Sequence, residues 1–131
     1  MASNSTLEIE SGAQVKASNV GATGKLSVNG RLVVGGINAG DVTFSSIFSA
    51  PSNTSWNGII FNAGSSSLIK GLTIKDAKDA LNYVSSNINL ENVLLSNNKT
   101  AVKAFGSSSV IKAENVMFEN NVTNKSPSGL W

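Results

Sequence analysis

The side chains able to do chemistry in this chain are few, and the absences narrow the options. Its 131 residues include no His and no Cys. That excludes Ser-His-Asp and Cys-His nucleophilic catalysis and any His- or Cys-ligated metal. The carboxylates are Glu8, Glu10, Asp41, Asp76, Asp79, Glu91, Glu114 and Glu119, with no two adjacent. Hydrolysis by a carboxylate pair needs two of them about 5–9.5 Å apart across a sugar. Glu91 and Glu114 would meet that requirement only if the chain stacks them in successive layers at about 4.8 Å; two solvated outward acids are the favoured reading. Asp76 and Asp79, three residues apart, could hold Ca²⁺ weakly with backbone carbonyls. No catalytic residue and no metal ligand is assigned, and weak Ca²⁺ is the sole cofactor considered.

Binding groups are more abundant. Trp56, Tyr83 and Phe105 could stack on the apolar faces of sugar rings while Asn and Lys bond the hydroxyls. An inward stack of Phe61, Tyr83 and Phe105 is the competing reading and the favoured one. Trp56 is expected half-exposed beside a loop. Trp56, Asn57, Lys75 and Lys103 are therefore the candidate ligand-binding residues. Lys70, Lys75, Lys78, Lys103 and Lys112 would favour an acidic polysaccharide, although a solvated face explains them equally well. Asn-X-Ser/Thr triplets, those at Asn4, Asn53, Asn98 and Asn121 among them, match a glycosylation acceptor and are expected by chance in so Asn- and Ser-rich a chain.

The elements that would position these groups are short and repetitive. Phe61, Tyr83 and Phe105 follow one another at 22-residue intervals, and Leu72, Val93 and Val116 at 21 and 23. A period near 22 built of short apolar runs and turns marks a solenoid. Equivalent residues recur once per three strands, so the strands should coil in parallel, with Ile59, Leu81 and Val102 in one column and Ile74, Leu95 and Phe118 in another. Lys70, Glu91 and Glu114 should face outward, as should Lys75, Ser96 and Glu119. Corner amides are expected to pair along the axis as Asn97 with Asn120, Asn98 with Asn121 and Asn92 with Asn115. Lys75 to Leu81 reads as a turn. Toward the N-terminus a shorter repeat of 19 relates Leu7 to Leu26, Ile9 to Val28 and Val15 to Val34. Ser11-Gly12 and Asn29-Gly30 supply its bends.

Composition agrees. Apolar residues make up 40% of the chain and support a core, while charged residues are only 14% and the net charge is +2. A surface of Ser, Asn, Thr and Gly suits turns and ladders better than helices. The ten basic residues are scattered and only Arg31 is an arginine, so nucleic acid is not an expected partner. No run of about 18 apolar residues occurs, so membrane insertion by a helix is not expected. The expected fold is all-β, a right-handed single-stranded parallel β-helix of about five to six short coils. Residues 1–6 are expected to be a disordered lead-in, 7–121 the β-helix with an inserted loop at 45–55, and 122–131 a tail or cap.

The residues that carry this pattern are Leu26, Val28, Gly30, Leu32, Val42, Phe44, Ser45, Trp56, Gly58, Ile59, Phe61, Asn97, Asn98, Asn120 and Asn121. Together they resemble the right-handed parallel β-helix repeats of bacterial secreted and surface proteins, in the pectate-lyase-like superfamily. The likeness covers about Leu7 to Asn121. It implies an extracellular or cell-surface location and a fold that carries lyases, polygalacturonases, tailspikes and non-catalytic adhesive modules. Catalytic members of that group use acidic pairs or an acidic Ca²⁺ cluster with a basic residue, and Arg31 stands beside no such cluster. The resemblance therefore implies a non-catalytic module for surface adhesion or polysaccharide binding. The alternatives are a structural subunit associating end to end into fibres, with Leu130 and Trp131 at the joint as a homo-oligomer contact, and a small polysaccharide lyase or hydrolase.

Overall fold

The computed structural model describes residues 1–18, 24–105 and 110–127. Twelve strands and no helix make up the described residues: β1 (Thr6–Glu10), β2 (Gln14–Ala17), β3 (Lys25–Val28), β4 (Arg31–Gly35), β5 (Val42–Ser46), β6 (Gly58–Phe61), β7 (Ser66–Lys75), β8 (Asp79–Val84), β9 (Asn87–Ser96), β10 (Thr100–Phe105), β11 (Val110–Glu119) and β12 (Thr123–Ser126). Every ladder is parallel. The chain is a parallel β-solenoid of about five turns, as the repeat requires.

Each turn has three faces. Face 1 stacks β1, β4 and the first halves of β7, β9 and β11. Face 2 stacks β2, β5 and the second halves of those three long strands. Face 3 is a separate sheet in the order β3-β6-β8-β10-β12. The ten-residue strands are longer than the three-to-five-residue runs legible in the sequence, because they bend without breaking. The bend falls at Gly71, Asn92 and Asn115, all at positive φ. Asn tolerates the left-handed region better than other chiral residues. Gly71 has a second reason: an added Cβ there would come within 2.5 Å of the Gly36 backbone. A second left-handed column, Asp76, Asn97 and Asn120, turns face 2 into face 3.

Inward side chains form columns. Ile59, Leu81 and Val102 are register partners, as are Ile74, Leu95 and Phe118. Buried Leu32, Val34, Val42, Phe44, Ile69, Leu72 and Val93 join them in one core. Burying such side chains is worth about 1.5–3 kcal/mol each, which offsets the small contribution of an Asn- and Ser-rich surface. The corner between faces 2 and 3 is sealed by Asn98, fully buried. Its Oδ1 accepts the Ala77 N–H at 3.0 Å, and its Nδ2 donates to the Ile74 carbonyl at 3.2 Å and to Asn121 Oδ1 at 3.1 Å. Asn115 Nδ2 donates to Asn92 Oδ1 at 2.7 Å. Asn97 and Asn120 occupy one corner column as expected, but the Asn97 amide donates to Asp76 Oδ1 at 2.9 Å rather than pairing with Asn120.

Several expectations are corrected. The 19-residue N-terminal repeat is not the register: Leu7 pairs with Leu32, Val15 with Phe44 and Leu26 with Ile59. Ser45 and Ser46, placed in the inserted loop, end β5 and are buried. The coil continues past Asn121, because Thr123–Ser126 adds a strand to β10. Residues 1–5, expected to be disordered, lie against the first turns. The Met1 ammonium donates to the Ser27 carbonyl at 3.0 Å, and the Arg31 N–H donates to the Ser5 carbonyl at 3.0 Å. A further loop, 36–41, interrupts faces 1 and 2 between β4 and β5. Asp41 Oδ2 ties it by accepting the N–H groups of Ile37 and Asn38 at 2.8 and 2.9 Å. These bonds favour the charged form and hold the Asp41 carboxyl below its ordinary range, the Asn38 bond most.

Candidate binding face

Face 3 gathers the polar groups of most interest. Its strands start where the chain leaves the face 2–face 3 corner, so residues just before and after that corner line its edge. A shallow groove of roughly 200 Å³ runs there between Lys25, Asn57, Gly58, Ile60, Lys78, Asp79 and Asn82. Backbone bonds fix the groove: Asn57 N–H donates to the Gly24 carbonyl at 2.7 Å and Lys78 N–H to the Trp56 carbonyl at 2.8 Å. Gly58 sits at φ +95°, where a Cβ would run into the Asp79 carbonyl. Only Gly brings the two coils that close together.

Register places Lys103 directly beside Asn82, and Asn82 beside Ile60. Lys103 therefore lies one coil on from the groove, on the same outward column. Its ammonium stands 5.0 Å from the centre of the Phe105 ring, a cation–π contact. Lys25, Lys78 and Lys103 outnumber Asp79, so the strip is electropositive. The Asn82 Oδ1 is itself buried and has no hydrogen-bond partner among the described residues.

The candidate residues part company here. Asn57 and Lys103 belong to this face. Trp56 does not, and its expected exposure is corrected: it is 1% exposed. Its indole N–H donates to the Lys75 carbonyl at 2.8 Å, and its ring lies 6.2 Å from that of Phe44. The ring closes the core beneath the loop that follows β5, so it cannot stack on a sugar. Lys75 points outward from face 2, in the column of Ser96 and Glu119, across the corner from the groove. Phe105 is corrected the other way. It pairs with Val84, while Ala104 pairs with Tyr83, so the inward column is Phe61, Tyr83 and Ala104. Phe105 is 46% exposed, and its proximity to Lys103 was not legible from spacing. Leu130 and Trp131 lie outside the described residues.

Glu91 and Glu114 are register partners on face 1, as expected. They share a groove of roughly 410 Å³ with Lys70 and Lys112, and Lys70 Nζ stands 3.4 Å from Glu91 Oε2. Asp76 and Asp79 do not form one site: Asp76 is buried under Asn97, and Asp79 opens into the face 3 groove. Among the described residues no group of three or more acidic side chains is placed to hold a metal. No family model, no curated protein and no solved structure matches the chain.

Proposed function

We propose that the chain is a non-catalytic solenoid module that binds an acidic polysaccharide along face 3, serving adhesion at a cell surface. One observation carries the reading: the groove of Lys25, Asn57, Lys78, Asp79 and Asn82 continues through Lys103 to the exposed Phe105 ring. A flat strip with donors repeated about every 4.8 Å suits an extended polymer better than a compact ligand. Ammonium groups attract uronate carboxylates, Asn57 and Asn82 can bond hydroxyls, and Phe105 offers an apolar edge. Trp56 and Lys75 have no part in it.

The test is calorimetry against polygalacturonate and against a neutral glucan. Binding to the acidic polymer should weaken at least about tenfold in K78A/K103A and remain unchanged in K70A, which alters face 1. An affinity that ignores the face 3 pair, or a glycan array without any hit, removes the reading.

A further inference from the structure

Among the described residues each face of the solenoid stacks five strands. At one end β1, β2 and β3 edge faces 1, 2 and 3. At the other, β11 edges faces 1 and 2 and β12 edges face 3. We propose that a second copy of this chain stacks head to tail, so that β11 and β12 of one copy pair in parallel with β1, β2 and β3 of the next.

The columns say which residues would meet. On face 1 one outward column runs Glu8, Val33, Leu68, Asn89, Lys112. Stacking sets Lys112 of one copy against Glu8 of the next. On face 2 the column of Lys16 and Ser45 continues through Lys75 and Ser96 to Glu119, so Glu119 meets Lys16. Both contacts pair opposite charges across adjacent strands, which steers the ends together. The inward columns are apolar at both ends: Ile9 ends the one that finishes at Ala113, and Val15 the one that finishes at Phe118. The mouth bounded by Leu7, Ile9, Val15, Leu26 and Phe44 encloses roughly 580 Å³ of mostly apolar space. Ile9, Val15, Val116 and Phe118 are each half-buried, so stacking removes further apolar surface from water.

Two residues oppose the joint. Glu114 would face Glu10. Lys125 follows Val102 in an inward column that begins at Leu26, so its stem would lie over Leu26 of the next copy. An inward-pointing charge is a known guard against edge association. Stacking is accordingly reversible, with Lys125 as its brake.

Sedimentation velocity over a concentration series tests this with the full chain. The expected result is a concentration-dependent series of oligomers. Glu119→Lys should raise the midpoint concentration about three- to tenfold, and adding Lys16→Glu should restore it. Lys125→Leu should lower it at least about tenfold, by removing a charge from an apolar column. Because the chain has no Cys, E8C/K112C should give a disulfide-linked ladder on oxidation, whereas E8C and K112C alone should stop at dimers. A strict monomer in both the parent and Lys125→Leu overturns the proposal. So do dimers indifferent to the charge swap, with no ladder from the double cysteine variant.

Discussion

Asn98 is the side chain on which the corner between faces 2 and 3 depends, and replacing it by Ala has a cost that can be worked out. Its side chain satisfies the Ala77 N–H, the Ile74 carbonyl and Asn121 Oδ1. Ala77 and Ile74 are both fully buried, so water cannot take over those bonds without opening the coil. Each buried backbone group left without a partner costs about 1–3 kcal/mol. Asn121 keeps other partners, namely the Asn98 N–H at 2.9 Å and the Leu95 carbonyl at 2.8 Å, so its loss is small. Two orphaned groups therefore predict a destabilisation of about 2–6 kcal/mol for Asn98→Ala. With a urea slope of about 2 kcal/mol/M, the unfolding midpoint should fall by about 1–3 M. Circular dichroism of equilibrium urea unfolding measures this. Asn97→Gly is the matched control: Asn97 has φ 52° and its side chain bonds Asp76 alone among the described residues, so Gly there should cost less than about 1 kcal/mol. A loss below 1 kcal/mol in Asn98→Ala would refute the argument, because it would mean that the buried groups find new partners or were never dependent on this amide.

Gly58→Ala should destabilise by several kcal/mol or prevent folding, since the Cβ meets the Asp79 backbone rather than a side chain able to yield; soluble yield and thermal midpoint report it. Tyr83→Phe should be neutral or stabilising by up to about 1 kcal/mol, because the buried hydroxyl has no hydrogen-bond partner among the described residues. A clear loss of stability would show that the hydroxyl is bonded. Burial also pushes the Tyr83 ionisation up, so this residue should give no phenolate absorbance below the alkaline unfolding transition. The Asp41 carboxyl, held below its ordinary value of 3.8, stabilises the 36–41 loop above that pH and stops doing so as pH falls through its folded value. Amide exchange at Ile37 and Asn38 should accelerate there, and in Asp41→Ala should be fast at every pH.

The sequence carried the fold wherever a coil has the standard length. From Ser66 onward successive ladders are offset by 21 and then 23 residues, close enough to one period that counting finds the columns. Before that the offsets are 25 between β1 and β4, 29 between β2 and β5 and 33 between β3 and β6. The loops at 36–41 and 47–57 lengthen individual turns, so no constant spacing exists to be found. The matching of Leu7 to Leu26 compared a face 1 strand with a face 3 strand. Both are short, apolar and followed by a Gly bend, and composition cannot tell two faces of a solenoid apart. A one-residue error matters as much as a missed loop, because it exchanges inside for outside. Even spacing put Phe105 in the Tyr83 column, whereas the corner between β8 and β9 is one residue shorter than the one between β6 and β7 and puts Ala104 there.

That one-residue shift also bears on what the surface can do. Lys103 and Phe105 lie two apart on β10 and share a face, so an inward Phe105 would have turned Lys103 into the core as well. With Phe105 outward, Lys103 stands over an aromatic ring, and the ring and ammonium extend the strip that begins at Lys25 and Asn57. Trp56 underwent the reverse exchange, and for a reason its neighbours supply. The indole N–H needs an acceptor if the ring is buried, and the Lys75 carbonyl at the end of β7 provides it. A Trp after a long loop thus serves to bring the chain back into the stack. Aromatic residues in a solenoid can be assigned to core or to ligand only after the corner lengths are known. The same corner lengths set which charges end each column, and so whether Lys112 meets Glu8 and Glu119 meets Lys16 when one rod is placed on another.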